Sequence, residues 1–501
     1  VKMLRRKQTY NLVLSLLVFG GTIPGGTIAR AQEQPFKVER APFSDRKYDE
    51  YSPVFFDGGI VFRSNKRMNV MKKTSDKAGN TAMNLFFVRD LGDGKWSEPE
   101  LFSSSLSSIK QHFGPATFNE EGDRIWFNMI NEESAKDAGK IGIYSAEYSG
   151  GEWTDIQPFP YNDPRYDFIH PFLSEDGRML FFSSNMRGGL GGYDLYVCYL
   201  KGSQLTEPVN LGPNINTRGH ELYPVYYPDG RLYFASRGQV PNLGGFDIYY
   251  SVRDVGDWSP PVHLDPPFNS RRNDAWFMLN DTSYTSGYIQ SDRDARIYNI
   301  FSFSLDIPED LYEECKVVEK NSYCFTFYEA GKVEIDTTQY RYEWVIEGKK
   351  FRQDEVDYCF QGVGYYIITL NVIDLLSGEI MFNEATYDLD VQDIEQVYIS
   401  SPDTVYVSDP VRFSGTKTFL KDFTIDRYIW NMGDYNWVAD TAVVHRYYRP
   451  GTYTIKLGVV DKADQPEQVQ KTCGFKRVVV LPRREGPVAF KQDAPSPSNN
   501  K

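Results

Sequence analysis

Between Pro53 and Trp276 the order of apolar and polar positions restarts five times, at intervals of 52 to 62 residues. Each restart holds an opening turn, an apolar strand, an Asp-Gly-like turn and an aromatic strand. The clearest copies are Glu221-Leu-Tyr-Pro-Val-Tyr-Tyr-Pro-Asp-Gly-Arg-Leu-Tyr-Phe-Ala-Ser-Arg237 and Phe168-Ile-His-Pro-Phe-Leu-Ser-Glu-Asp-Gly-Arg-Met-Leu-Phe-Phe-Ser-Ser184. They continue through Gly-rich loops into Gly245-Phe-Asp-Ile-Tyr249 and Gly192-Tyr-Asp-Leu-Tyr196. A unit of this size holds about four short strands and buries the faces of its sheet only against neighbours in a ring. The pattern predicts an all-β chain that begins with a five-bladed β-propeller over residues 34–304, with Phe36-Lys-Val38 available to close the last sheet.

After Phe303 the repeat stops. Ile307-Pro-Glu-Asp-Leu-Tyr-Glu-Glu314 reads as a short helical turn within a linker, 305–318, with Pro in its first turn. Two units of period-2 alternation follow, each with one Trp in a core-strand position, Trp344 and Trp430. They predict two immunoglobulin-like β-sandwiches in tandem, 319–394 and 395–482. The stretch 483–501 has nothing to pack and is expected to be disordered.

Residues 1–31 place Lys2, Arg5, Arg6 and Lys7 before the apolar run Leu12–Phe19 and end on Ala29-Arg30-Ala31, the layout of a secretory signal peptide. No stretch has the length of a membrane span. The formal net charge is −13, and removing five basic residues with that leader leaves −18. Such a body repels phosphate backbones, so nucleic acid is not an expected partner. The cysteines, Cys198, Cys315, Cys324, Cys359 and Cys473, are odd in number and show no Cys-x-x-Cys spacing. Cys324 and Cys359 fall on strands that correspond between the two sandwiches, and a disulfide between them is expected, against pairing with Cys315 or two free thiols.

Glu50, His112, His170, Glu221 and Asp274 lie just before or within the opening strands of successive repeats. Ring symmetry would bring them to one mouth of the central channel, either as polar lining or as a partner-binding or ion site. Asp194 and Asp247 recur behind Gly-rich loops whose N–H groups a carboxylate could accept, a structural role. Asp434 carries the same ambiguity between structure and metal, and no metal or cofactor is expected. Gly-x-Ser-x-Gly and His-Glu-x-x-His are absent, and no paired carboxylates share a visible cleft, so no enzyme activity is expected.

The repeat resembles the WD-like propeller repeat of TolB-type and periplasmic OmpA-family proteins. Trp430-Asn-Met-Gly-Asp434, His445-Arg-Tyr447 and Pro450-Gly-Thr-Tyr453 resemble the hallmark order of PKD domains, of which the first sandwich keeps Trp344, Phe360 and Gly364-Tyr365. The arrangement is similar to envelope proteins of Bacteroidota, including the PorE-type anchor of the type IX secretion and gliding machinery, although the sequence carries no OmpA-like peptidoglycan-binding segment. The resemblance implies a periplasmic, outer-membrane-associated scaffold that binds protein partners of the envelope. The alternatives are a glycan-binding protein and, behind it, a propeller hydrolase or lyase.

Overall fold

The computed structural model describes residues 35–66, 83–107, 114–130, 140–202, 204–254, 257–281, 283–294, 297–329, 338–462 and 469–482. The leader 1–31, the tail 483–501 and His112 lie outside them. Every regular element among the described residues is a β-strand.

Five antiparallel sheets follow one another along the chain. Their innermost strands are Glu50–Phe56, Ala116–Phe118, Phe168–Leu173, Glu221–Tyr226 and Asp274–Leu279. Each inner strand lies against the inner strand of the next sheet, and the fifth lies against the first. The strand Phe36–Arg40 pairs with Asn299–Leu305 and forms the outer edge of the fifth sheet, so the first strand of the chain ties the last sheet in place. This is the construction of a β-propeller.

Apolar side chains fill the gaps between neighbouring sheets. Val61, Phe87, Ile125 and Phe127 pack between the first and second, and Phe181, Val197, Leu232 and Phe234 between the third and fourth. Because both faces of a sheet are covered, the second strands Met179–Ser184 and Arg231–Ser236 are buried at every residue. That explains why they read as continuous apolar runs instead of alternating. The tight turns between first and second strands place Gly58, Gly122, Gly177 and Gly230 at φ of +67° to +86°, where a Cβ would be strained.

Two sandwiches follow, each setting a two-stranded sheet beside a larger one. In the first, Cys324–Tyr328 pairs with Glu355–Cys359, and the larger sheet is built on Tyr340–Ile346, Gly364–Asp374 and Ile380–Val391. In the second, Val411–Ser414 pairs with Ala442–His445, and the larger sheet on Ile425–Asn431, Gly451–Asp461 and Lys471–Leu481. Trp344 and Trp430 are buried in the respective cores.

The linker differs from the expected helical turn. Residues 309–314 form successive turns with Asp310 at φ 60°, a left-handed conformation that ends a helix before it begins. Leu311 and Tyr312 instead pack on Ile429, Val460 and Trp437 of the second sandwich. Lys316–Val317 then runs parallel to Lys471–Leu481, and Cys315 is bonded to Cys473. The chain therefore touches the second sandwich before it builds the first.

The second sandwich is also the one docked on the propeller. Arg231, in the turn region of the fourth sheet, lies 5.0 Å from the ring centre of Tyr250, 5.1 Å from Tyr284 and 5.9 Å from Tyr435. Its guanidinium donates to the backbone oxygen of Asp434 and sits 3.5 Å from Asp229. Tyr435 stacks on Tyr284 at 4.7 Å.

Candidate functional site

Glu50, Glu221 and Asp274 occupy the same place, the first residue of an inner strand, and all three are 0% exposed. Each carboxylate clamps the loop that precedes its own strand. Glu221 accepts from Thr217 N at 2.9 Å, Thr217 Oγ1 at 2.7 Å and Ser236 Oγ at 2.8 Å. Asp274 accepts from Ser270 N at 2.6 Å, Ser291 Oγ at 2.5 Å and Arg293 Nη2 at 2.7 Å. Glu50 accepts from Asp45 N at 3.2 Å and from the Ser44 hydroxyl. The expectation that these groups share an open channel mouth is corrected. A short loop offers several N–H and O–H donors, and a carboxylate taken out of water is stable only where such donors surround it.

Glu50 is the least compensated of the three. Burial, partly offset by Ser44 and Asp45, pushes its carboxyl up to about 7. A folded-state value above the unfolded one favours folding fully below pH 4.5, and that contribution is lost as pH rises to about 7. Glu50→Gln has no such titration, so its stability relative to wild type should rise by about 3 kcal/mol between pH 4.5 and 7.5. Urea denaturation at both pH values measures it. A difference that does not change with pH would show that Glu50 ionises normally.

His170 belongs to a second recurring position, two residues into the opening strand. Ser52, His170, Tyr223 and Trp276 stand there with φ of 48°, 56°, 57° and 52°. The strand register shifts at this point in all four sheets. Four left-handed non-glycine residues at one repeat position are a built feature, since such bulges re-aim side chains and cost free energy. Amide side chains support them across neighbouring sheets: Asn128 Oδ1 accepts from His170 N at 2.8 Å, and Gln290 Oε1 from Ser52 N at 2.9 Å.

The re-aimed side chains meet at the axis. His170 stacks on Tyr223 with ring centres 3.8 Å apart, and Trp276 stands edge-on to Tyr223 at 6.1 Å. Arg63, from the second strand of the first sheet, lies 5.3 Å from the ring centre of Tyr51, which in turn lies 5.1 Å from that of Tyr298. His170 is 7% exposed; burial and then the Arg63 charge hold its imidazole neutral, well below its ordinary value. Burial also lowers Arg63 and raises the Tyr223 phenol. Of the expected site residues that are described, the structure therefore brings His170 to the axis and not Glu50, Glu221 or Asp274, and adds Arg63, Tyr51, Tyr223, Trp276 and Gln290. Their signal in the sequence is the residue before the proline of each opening strand, Ser52, His170 and Tyr223, of which His170 alone is grouped above with the carboxylates.

The remaining candidates are structural in their contacts. Asp194 accepts from Leu190 N at 2.5 Å and Gly191 N at 3.0 Å, and Asp247 from Gly244 N at 3.1 Å and from Leu243 N. Asp434 lies 2.8 Å from His445 Nε2 beside Arg231; burial opposes its ionisation, but His445 and Arg231 hold its carboxyl low. Among the described residues no three His, Cys, Asp or Glu side chains group as metal ligands. Cys324 and Cys359 are directly opposed and their sulfurs are bonded. No helix among the described residues is long and apolar enough to cross a membrane.

Residues 395–475 match the family model of the PKD domain. The same length of chain is similar to Collagenase ColA of Clostridium perfringens (strain 13 / Type A), 30% identical over 81 residues, which are 16% of this chain and 7% of the collagenase. The chain thus spans a small fraction of that relative. Among solved structures it is similar to TolB from Acinetobacter baumannii, with 13% identity, a TM-score of 0.27 and coverage of 52% of this chain and 55% of that one. It is also similar to an endo-arabinase from Bacteroides thetaiotaomicron VPI-5482, with 12% identity, a TM-score of 0.34 and coverage of 55% and 98%. The family match thus places a PKD-type domain after the ring of sheets. The endo-arabinase overturns the expectation that the chain is not an enzyme. That expectation rested on missing nucleophile and zinc motifs, whereas carboxylates from separate sheets leave no local motif. At this TM-score the likeness assigns no activity.

Proposed function

We propose that the chain is a five-bladed propeller carrying two sandwiches, that it serves as an interaction protein of the bacterial envelope, and that it binds a protein partner at the axial cluster around His170 and Tyr223. The observation that carries this reading is the recurring left-handed bulge, which aims a ring or polar group at the axis from four of the five sheets at an energetic cost the fold itself does not need. The first sandwich supports it by leaving Tyr365, Ile367 and Phe382 66%, 59% and 65% exposed, an apolar surface suited to assembly. The leader-like residues 1–31 and the PKD-type domain favour a periplasmic, outer-membrane-associated assembly of the type IX secretion or gliding kind.

Photocrosslinking in cells tests the reading. p-Benzoylphenylalanine at position 223 should give a discrete adduct with one envelope protein, while the same probe at exposed Val209 on the outer edge should not. Equal adducts at both positions, or none, would remove the axial cluster as a partner site.

A glycan-binding reading is favoured by one separate feature. A groove of about 900 Å³ lies where the first two sheets meet, lined by Phe55, Trp96, Tyr148 and Trp153 with Asp57 and Glu121. Phe55 and Tyr148, 41% and 49% exposed and unlike buried Trp344 and Trp430, are placed to stack on sugar faces. Retarded migration of the protein in gels containing a neutral polysaccharide, abolished by Phe55→Ala with Tyr148→Ala, would favour it.

A further inference from the structure

Among the described residues the axial cluster holds more donors than acceptors that reach them. Arg63 Nε, Gln290 Nε2 and His170 Nδ1 are buried with no hydrogen-bond partner. The first two can only donate, and neutral His170 can donate from Nδ1. Asp49 accepts from Asn65 Nδ2 at 3.1 Å and Tyr298 N at 3.2 Å, and its charge attracts Arg63 from beyond ion-pair distance. Packing of Arg63 against the Tyr51 ring offsets only part of the cost of holding a guanidinium away from water. Among the described residues Arg63 has no ion pair, and in a chain of net charge −13 such a guanidinium can take an incoming anion.

Resting on the axial partner site proposed above, we propose that the group received there is a single carboxylate, clasped by the Arg63 fork and flanked by Gln290 Nε2 and His170 Nδ1. The charge balance selects the ligand class. Arg63 supplies one positive charge and His170 stays neutral, so a monoanion leaves the cluster neutral whereas a phosphate dianion leaves a buried negative charge. The planar fork fits the two oxygens of a carboxylate. Aromatic faces of Tyr51, Tyr223 and Tyr298 would cover the carbon attached to it. An acidic side chain or C-terminus of a protein and a uronic acid of a polysaccharide carry the same group.

Calorimetric titration of the purified full chain tests this with four probes: an N-acetylated, amidated hexaglutamate, a neutral peptide with a free C-terminal carboxylate, hexagalacturonate and inorganic phosphate. The acidic surface repels anions elsewhere, so saturable one-to-one binding reports this cluster. At least one carboxylate probe should bind more tightly than phosphate, weaken at least tenfold in Arg63→Gln, and weaken three- to tenfold in Arg63→Lys, which keeps the charge without the fork. Which carboxylate probe binds distinguishes protein from polysaccharide. Arg63→Gln should melt no lower than wild type, because it removes an unpaired buried charge, and should lose the melting-temperature rise that the bound probe gives wild type. Should Arg63→Gln fail to fold, Arg63→Lys decides alone. Absence of binding by every carboxylate probe, tighter binding of phosphate, or undiminished binding by the Arg63 variants overturns the proposal. A cell adduct at position 223 that persists in Arg63→Gln would leave the partner site standing and the carboxylate refuted. Probe binding without any adduct would do the reverse.

Discussion

Replacing Arg231 by Ala should destabilise the protein by about 3–5 kcal/mol and uncouple the second sandwich from the propeller. Arg231 is nearly buried, ringed by Tyr250, Tyr284 and Tyr435, donates to the Asp434 backbone oxygen and lies 4.0 Å from its carboxylate. Truncation leaves Asp434 with only His445 and Asn436, empties the space between three rings and leaves the Tyr284–Tyr435 stack without its cation. Wild type should unfold with propeller and second sandwich in one transition, and Arg231→Ala in two. Tyr435→Ala removes one ring and leaves the charge network, so about 1–2 kcal/mol is expected there. Denaturant titration followed by domain-specific proteolysis reads both quantities. A single unshifted transition in Arg231→Ala would show that the docking rests on the linker alone.

The contact at Arg231 also marks where sequence reading stopped. The repeat period is a local pattern, and it exposed the five restarts and their Asp-Gly turns because each unit must bury its faces against the next. The docking of the second sandwich is not local. Arg231 reads as an ordinary turn residue in the phrase Asp229-Gly230-Arg231, and Tyr435 as part of a loop. Only the return of the linker onto Ile429 and Val460 brings them together. The linker itself misled, because Pro308 with acidic residues after it suits a helix start while the burial of Leu311 outweighs that preference.

The same limit governed the candidate site. His170 is grouped with Glu50, Glu221 and Asp274 by their common place at the opening strands, and on a regular strand residues two apart do share a face. The bulge between them breaks that rule and turns one set to its loops and the other to the axis. Nothing in the sequence announces a bulge, since the left-handed position is taken by Ser52, His170, Tyr223 and Trp276 with no glycine among them. Arg63 was overlooked because an arginine near the end of a strand is normally solvated.

Loss of the Cys315–Cys473 bond should be the second large effect. The two cysteines are 158 residues apart, and the bond joins the linker to the last strand of the second sandwich, beside the parallel pairing of Lys316 with Gly474. Between them lies the whole first sandwich, so an unfolded chain without this bond gains the freedom of a long loop, about 5 kcal/mol in the chain-entropy limit and about 2–4 kcal/mol by general experience. Cys324 and Cys359 are 35 apart and join two strands already paired in one small sheet, so their loss should unfold the first sandwich alone. Cys315→Ser with Cys473→Ser should instead lower the stability of the second sandwich and its hold on the propeller together. Thiol counting supplies the independent check. Cys198 is buried in the propeller, where burial pushes its thiol up to about 12, so the native protein should resist alkylation. In denaturant without reductant one thiol per chain should react, and in denaturant with reductant five. Three reactive thiols before reduction would mean that one of the two bonds does not form, and the mass of the labelled peptides would say which.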